Sequence, residues 1–388
     1  MRILLLPSSY PPVLGGLQTV TQRLAQELRA RGHVVWVLTN RYPRRLSSRE
    51  VLDGVSVERA LFLYPRLAQL RAGRPDVFLA SWFYFPLALE RLLWRIGRFR
   101  PDVVNLHFAG GMSLFVLIAA RLFRVRLVVS LHGDDVEGLE RGTRFDRWLF
   151  RALLRRADAV TACSRYLLKE AAQWEPGTLD KDTMIHNAVE LTSFVAHRSD
   201  RPLVAPYVLA AGRLAQVRGF DVLLRAFATI SAEFPALHLM ILGDGPEKQR
   251  LRQEVQKLGL DGRVVFRGRL AHHEVGRCMT DSQAVVVPSL REAFGLVALE
   301  GMAAGKPIVA TTAGGLPEVL DGAEAKLVPP GDEEALAMAL RETLQTLAAN
   351  PAYGQRNREL AARFGWDRLV EAYVRVYQGN DDRRALCA

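Results

Sequence analysis

Along the first 190 residues, short runs rich in Val, Ile and Leu alternate with stretches whose apolar positions recur every three to four residues. That is the pattern of parallel strands joined by crossover helices. The strands it predicts are Ile3–Leu6, Val34–Thr39, Val103–Leu106, Leu127–Leu131, Ala159–Thr161 and Thr183–His186. Between the first two, Leu17, Val20, Leu24 and Leu28 make one stripe of a helix over 17–30, closed by Arg31-Gly32-His33. The pattern then restarts with Tyr207–Ala211, Leu237–Leu242, Val264–Phe266, Ala284–Val287, Ile308–Ala310 and Lys326–Val328. The fold class is therefore α/β, two doubly wound units in tandem. Periodicity is lost over 188–206, where prolines precede a new strand. This divides the chain into 1–190 and 191–365. The last stripe, "GWDRLVEAYVRVY", has no strand after it, and the segment from about 366 to 388 is assigned to return to the first unit.

A length of 388 residues exceeds what one core usually serves. With 49% hydrophobic and 24% charged residues, the composition is that of a globular enzyme rather than a disordered or fibrous chain. Cys163, Cys278 and Cys387 are odd in number and widely spaced, which fits neither a disulfide framework nor a zinc site. The opening "MRILLLPSSYPP" is too short for a signal-peptide core. The longest apolar run, "MSLFVLIAA", falls short of the roughly 18 residues a span requires. A cytoplasmic protein is expected. Charge changes this picture in one respect. Residues 1–190 hold 28 Lys and Arg against 18 Asp and Glu, a net +10, while the rest hold 24 against 23. An excess confined to one half points to an anionic partner; without any nucleic-acid motif beside it, nucleic acid is not expected.

In open α/β sheets, ligands bind beyond the carboxyl ends of the strands, so the loops after the strands carry the candidates. Gly15-Gly16 precedes the first helix, where bare N–H groups could face an anion or simply turn the chain. In "HGDDVEG", His132, Asp134 and Asp135 could ligate a metal, but with no third distant ligand signal a metal-free polar loop is the expected reading. Arg213 follows a strand end directly and Arg218 five residues later, just before a helix, and two guanidiniums there suit a diphosphate, as against an ordinary surface pair. Gly243 and Gly268 end two further strands, as turns or as close approaches to a planar base. In "AVVVPSLREAFGLVALEGMAAGKPIVAT" a strand and a loop lead into a helix starting at Gly295. The amides of Gly295, Leu296 and Val297 form its N-terminus, a ready anion site; Glu292 precedes them and Glu300 lies about a turn and a half inside. The plainer reading is a helix-entry acid and a solvated one.

These residues resemble a known family. "GRLAQVRGFDVLLRAF", "LGDGPE", "VVFRGRL", "VPSLREAFGLVALEGMAAGKPIVAT" and "GGLPEVL", with the N-terminal "PSSYPPVLGGLQTV" and the central "LHG", "ACS" and "IHNAVE", are similar in order and spacing to the retaining family 4 glycosyltransferases. The resemblance covers nearly the whole chain. It implies the GT-B fold, two Rossmann-like domains facing a central cleft, with an N-terminal acceptor domain and a C-terminal nucleotide-sugar domain. It implies that Glu292 lies against the donor sugar and Glu300 holds the ribose hydroxyls. Arg213 and Arg218 would bind the diphosphate, and His132 would stand near the transferred sugar. Two departures are Arg218, where the family has Lys, and Ala188, where it usually has Gly.

The implied reaction moves a hexosyl unit from a UDP- or GDP-type nucleotide sugar to a hydroxyl of a glycan, a lipid-linked or a small-molecule acceptor, with no cofactor required. Retention fits same-face substitution assisted by the leaving phosphate, and a double displacement stays open. The alternatives are a sugar-nucleotide epimerase of the same architecture and a non-catalytic sugar-binding homologue. A dinucleotide-dependent dehydrogenase is weaker, because no G-x-G-x-x-G follows a strand. Finally, 82–100 combines Trp82, Phe83, Phe85, Leu92, Leu93, Trp94 and Phe99 with Arg91, Arg95, Arg98 and Arg100. This is read either as a core helix or as one lying peripherally on the anionic inner face of a membrane.

Overall fold

The run Arg2–Pro7 becomes strand β1 because five of its six residues are buried, the mark of a central parallel strand covered on both faces. The computed structural model describes residues 1–13, 15–43, 45–65, 69–70, 73–194 and 206–380. Most of the stretch expected to link the units (195–205), together with Cys387, lies outside the described residues. The chain divides into two compact units, Met1–Ile185 with the segment from Val370 onward, and His186–Leu369.

In the first unit β1 is joined by β2 (Val34–Asn40), β3 (Arg49–Leu52), β4 (Val55–Ala60), β5 (Val103–His107), β6 (Arg126–Leu131), β7 (Ala159–Ala162) and β8 (Asp182–Met184). They form one sheet in the order β3-β4-β2-β1-β5-β6-β7-β8, parallel except for β3 against β4. That hairpin is absent from the strands expected above. Its signal was nevertheless present: Asp53-Gly54 sits between alternating apolar residues, with φ of 50° and 79°, the two positive values of a type I′ turn. The crossovers are α1 (Gly16–Ala30), α2 (Pro75–Phe99), α3 (Ser113–Leu122), α4 (Arg144–Arg156) and α5 (Arg165–Trp174).

Helix α2 is long and apolar enough to cross a membrane by length and composition, its best window averaging a hydropathy of 1.2. A search for an unbroken apolar run misses it because Glu90 and Arg91 interrupt it. Ser81, Ala88, Leu92 and Ile96 are buried, and Arg95 is salt-bridged to Glu58 of β4 at 2.5 Å, so the helix is anchored on its own sheet. From the chain's end, Tyr377 accepts a buried hydrogen bond from Asn105 at 2.7 Å and the Val376 carbonyl accepts one from Arg126 at 2.8 Å.

The second unit holds β9 (Tyr207–Ala211), β10 (His238–Leu242), β11 (Val264–Gly268), β12 (Val285–Val287), β13 (Ile308–Thr311) and β14 (Ala325–Val328). All are parallel, in the order β11-β10-β9-β12-β13-β14. Its helices are α6 (Phe220–Ser231), α7 (Lys248–Lys257), α8 (His272–Asp281), α9 (Leu296–Ala303) and α10 (Glu333–Ala349). The division from the first unit falls before His186 rather than after 190. His186 lies against the rings of Phe294 and Phe364, and the N–H of Val189 donates to the Phe364 carbonyl at 3.0 Å. Ala188, where the family usually has Gly, is buried in a stretch without regular secondary structure.

Candidate active site

Strand order reverses in the second unit between β9 and β12, and such a switch point opens a crevice at the strand ends. Arg213 and Arg218 follow β9, and Glu292 follows β12. Gly243 and Gly268 end the next two strands outward. Arg213, Arg218, Glu292, Gly243 and Gly268 thus lie beyond the carboxyl ends of four adjacent strands.

Two loops meet at the switch point because residue 219 is glycine. Its φ is 64°, and a Cβ there would stand 2.0 Å from the Pro288 carbonyl oxygen. The contact is stitched by the Leu290 N–H donating to the Val217 carbonyl at 2.8 Å. It brings Arg218 onto the Glu292 carboxylate as an ion pair. Ser289 donates to the same carboxylate at 3.2 Å and is held through its carbonyl by Thr311 at 2.6 Å. Arg213, by contrast, is exposed and has no ion-pair partner among the described residues.

Helix α9 is capped by Gly295 at φ 106°, where a side chain would strike Leu316. Gly301 lets the helix lie flush on Ile308 and Val285. The first N–H groups of such a helix lack intrahelical acceptors, so Leu296 and Val297 present theirs beside Glu292. Glu300 keeps 18% of its side chain exposed and lies 3.7 Å from His272 Nδ1. Burial pushes its carboxyl up to about 7. His272, whose own pKa burial lowers, was missed by the sequence reading; the signal was the His272-His273 pair after β11.

Gly243 has a packing reason. A Cβ would come within 1.9 Å of the Gly212 carbonyl oxygen, so the residue allows the β9 and β10 loops to touch. Gly268, at φ 72°, faces open space.

In the first unit Gly16 opens α1 beside β1, and His132 follows β6. His132 Nε2 lies 3.1 Å from His107 Nδ1, with the rings stacked. Burial lowers both imidazoles, His132 to about 4 and His107 well below its ordinary value, so both are neutral at physiological pH. Nε2 of His107 is buried without a hydrogen-bond partner. A bare lone pair is cheaper there than an orphaned N–H. With the His107 proton on Nδ1 and donated to His132 Nε2, the neutral His132 carries its own N–H on Nδ1.

Asp135 accepts from the N–H groups of His132, Gly133 and Ala109, at 3.1, 2.8 and 3.3 Å. Burial nonetheless raises it to about 6. Its oxygens clasp the loops after β5 and β6, and Asp134 points to solvent. No three His, Cys, Asp or Glu side chains among the described residues stand together as metal ligands.

Guanidiniums and helix amides at a sheet switch point, with a carboxylate on either side, can hold a diphosphate and accept from sugar hydroxyls. Comparison with known proteins agrees on the family. Residues 14–193 match the model described as Glycosyltransferase Family 4, and residues 197–359 the model described as Glycosyl transferases group 1. The chain belongs to glycosyltransferase family 4. Like other family members, it is a glycosyltransferase with the GT-B fold of two parallel-sheet Rossmann-like domains. It is 29% identical to the glycogen synthase of Mycobacterium tuberculosis, over 97% of this chain and 94% of that one. It is 27% identical to the N-acetyl-alpha-D-glucosaminyl L-malate synthase of Bacillus anthracis, over 95% and 94%. In fold it is similar to Anabaena HepE in complex with UDP, with a TM-score of 0.78, 22% identity, and 98% and 100% coverage.

Proposed function

We propose that this family 4 enzyme is a retaining hexosyltransferase that takes its sugar from a nucleoside diphosphate of UDP or GDP type. The acceptor is a hydroxyl of a glycan, a lipid-linked or a small-molecule substrate. The observation that carries the reading is the Arg218–Glu292 pair at the switch point, beside the free Arg213 and the α9 amides. Arg213, Arg218 and the N–H groups of Gly295, Leu296 and Val297 neutralise the diphosphate, Glu292 faces the donor sugar, and Glu300 accepts from the ribose hydroxyls. In the first unit, Gly16 and His132 supply backbone and imidazole N–H donors. As the bond from the anomeric carbon to the phosphate oxygen breaks, its electron pair goes to the leaving diphosphate. The acceptor oxygen adds on the same face and loses its proton to that diphosphate. Guanidiniums and amides can stabilise this charge without a metal. The UDP bound by the Anabaena relative supports a uridine donor.

Calorimetry against UDP-, GDP- and ADP-sugars, followed by NMR of the product made from the one that binds, tests this reading. A new glycoside with the donor's anomeric configuration is expected. An epimerised sugar nucleotide, an inverted product, or no binding of any nucleotide sugar overturns it.

The role of Glu300 predicts a pH dependence. The ionised carboxylate accepts from both ribose hydroxyls through charge-assisted bonds that the protonated acid lacks, and burial in the empty protein pushes its pKa up to about 7. Affinity for the nucleotide sugar, whose diester phosphates do not titrate here, should be flat above about pH 8 and fall by up to about tenfold per unit below the transition. Glu300→Gln should remove this dependence. The sign for stability is opposite. A folded-state pKa above the ordinary 4.5 means the folded protein binds more protons between the two values, so stability falls as pH rises through that window. The ligand-free Gln variant should therefore melt higher than wild type at pH 8. A pH-independent Kd in the wild type would remove Glu300 from the ribose.

A further inference from the structure

Helix α2 is apolar on two opposite sides. Its inner side rests on the sheet through Ser81, Ala88, Leu92 and Ile96. On the outer side Leu79, Trp82, Phe83, Leu87 and Trp94 are 60, 61, 79, 49 and 61% exposed. At about 100° per residue they fall within one arc of about 140° opposite the buried stripe. A surface helix ordinarily carries polar residues there, and a contiguous exposed apolar patch marks an interaction site. Between residues 79 and 98, Glu90 is the one acid; it is exposed and falls inside the same arc, so the apolar surface there surrounds a single carboxylate. Arg91 and Arg98 both border the arc along its Leu87 edge, and Arg98 lies 5.8 Å from the Trp94 ring. Leu92 and Arg95, grouped with the outer residues in the sequence reading, belong to the inner side: Leu92 is core and Arg95 is paired with Glu58.

A line of ring contacts runs from this helix to the start of α4, from Phe85 to Phe115, Tyr64 and Phe145, at 5.0, 6.3 and 6.1 Å. Phe145 and its neighbour Trp148 are again 42 and 51% exposed. Beside Trp148 lies a shallow groove of about 370 Å³ lined by Arg144, Arg147, Arg151, Arg155 and Trp174.

We propose that the outer side of α2, with the start of α4, docks this enzyme on a bilayer carrying anionic headgroups. Trp82, Phe83 and Trp94 enter the boundary between headgroups and acyl chains, while Arg91, Arg98 and the α4 arginines meet lipid phosphates. Any hydrophobic partner could cover the apolar arc. The charge selects the lipid, because residues 1–190 carry a net +10, a field that repels a second copy and attracts an anionic surface. This inference does not depend on the identity of donor or acceptor.

Flotation of the full-length protein tests it, with vesicles of phosphatidylcholine alone and of phosphatidylcholine mixed with phosphatidylglycerol. Wild type should float only with the mixed vesicles. Raising salt from about 0.1 to 1 M, which shrinks the screening length from about 10 to 3 Å, should release most of it. The triple variant W82S/F83S/W94S should lose about tenfold in partition per aromatic removed. R91E/R98E should abolish the preference for anionic vesicles. Both variants should keep the wild-type Kd for the nucleotide sugar and the wild-type melting curve, which separates loss of docking from loss of fold. Absence of wild-type binding to mixed vesicles at low salt overturns the proposal, as does unchanged binding by the variants. A wild-type dimer that the triple variant makes monomeric, with no vesicle binding, assigns the face to a second copy instead.

Discussion

Replacing Arg213 by Ala should lower kcat/KM for the nucleotide sugar by about 10²–10³-fold, about 3–4 kcal/mol, the scale of losing one charged donor at a developing oxyanion. Arg213 is the cleaner test of the two arginines, because it has no ion-pair partner among the described residues to be orphaned by the change. Arg218→Ala should cost a similar factor in rate. It also strips a largely buried Glu292, 11% exposed, of its guanidinium, so the melting temperature should fall as well. Arg218→Lys keeps a cation but loses the planar fork, and should recover most of the stability and part of the rate. Turnover should persist in EDTA. Full activity in Arg213→Ala, or loss with chelator that magnesium or manganese restores, would refute charge neutralisation by these residues.

Glu292→Gln should reduce kcat by about 10²-fold or more while leaving the donor Kd unchanged or tightened. Gln keeps the shape and can still accept from Ser289, so the fold is spared. What it removes is the negative charge beside an oxocarbenium-like centre, an interaction felt in the transition state rather than the ground state. It also frees Arg218 from its partner in the empty site, which is why affinity should not fall. Glu300→Gln should behave oppositely, losing donor affinity more than turnover. Parallel losses of kcat and affinity at both positions would end the division of roles between the two carboxylates.

Much of the fold is legible in the chain because the central strands of both sheets are parallel and buried, so they appear as unbroken apolar runs. The β3–β4 hairpin escapes that search: it sits at the sheet edge, its strands alternate instead, and only Asp53-Gly54 announces it. In the site, the loop positions of Arg213, Arg218 and Glu292 follow from strand endings, and the helical position of Glu300 from the helix start at Gly295. The pairing of Arg218 with Glu292 does not. The two lie 74 residues apart, and the contact exists because a missing Cβ at Gly219 lets two loops touch. The His107–His132 pair was equally hidden, since it needs β5 and β6 to be neighbours in register, with His107 opposite Ser130. Gly243 illustrates the reverse case. The sequence reading left it open between a turn and a ligand contact, and the Gly212 carbonyl supplies a packing reason.

The Arg218–Glu292 pair also bears on which anions the empty enzyme tolerates. An arginine already satisfied from within offers little to a small, singly bound ion such as chloride or sulfate, which must compete with a carboxylate tethered a few ångströms away. A molecule with two linked phosphates can first engage Arg213 and then exchange with the tethered carboxylate, its second phosphate held at high local concentration. On the proposed reading of the site, the resting pair would work as an intramolecular competitor, filtering for ligands long enough to reach both cations and setting Glu292 free when such a ligand arrives.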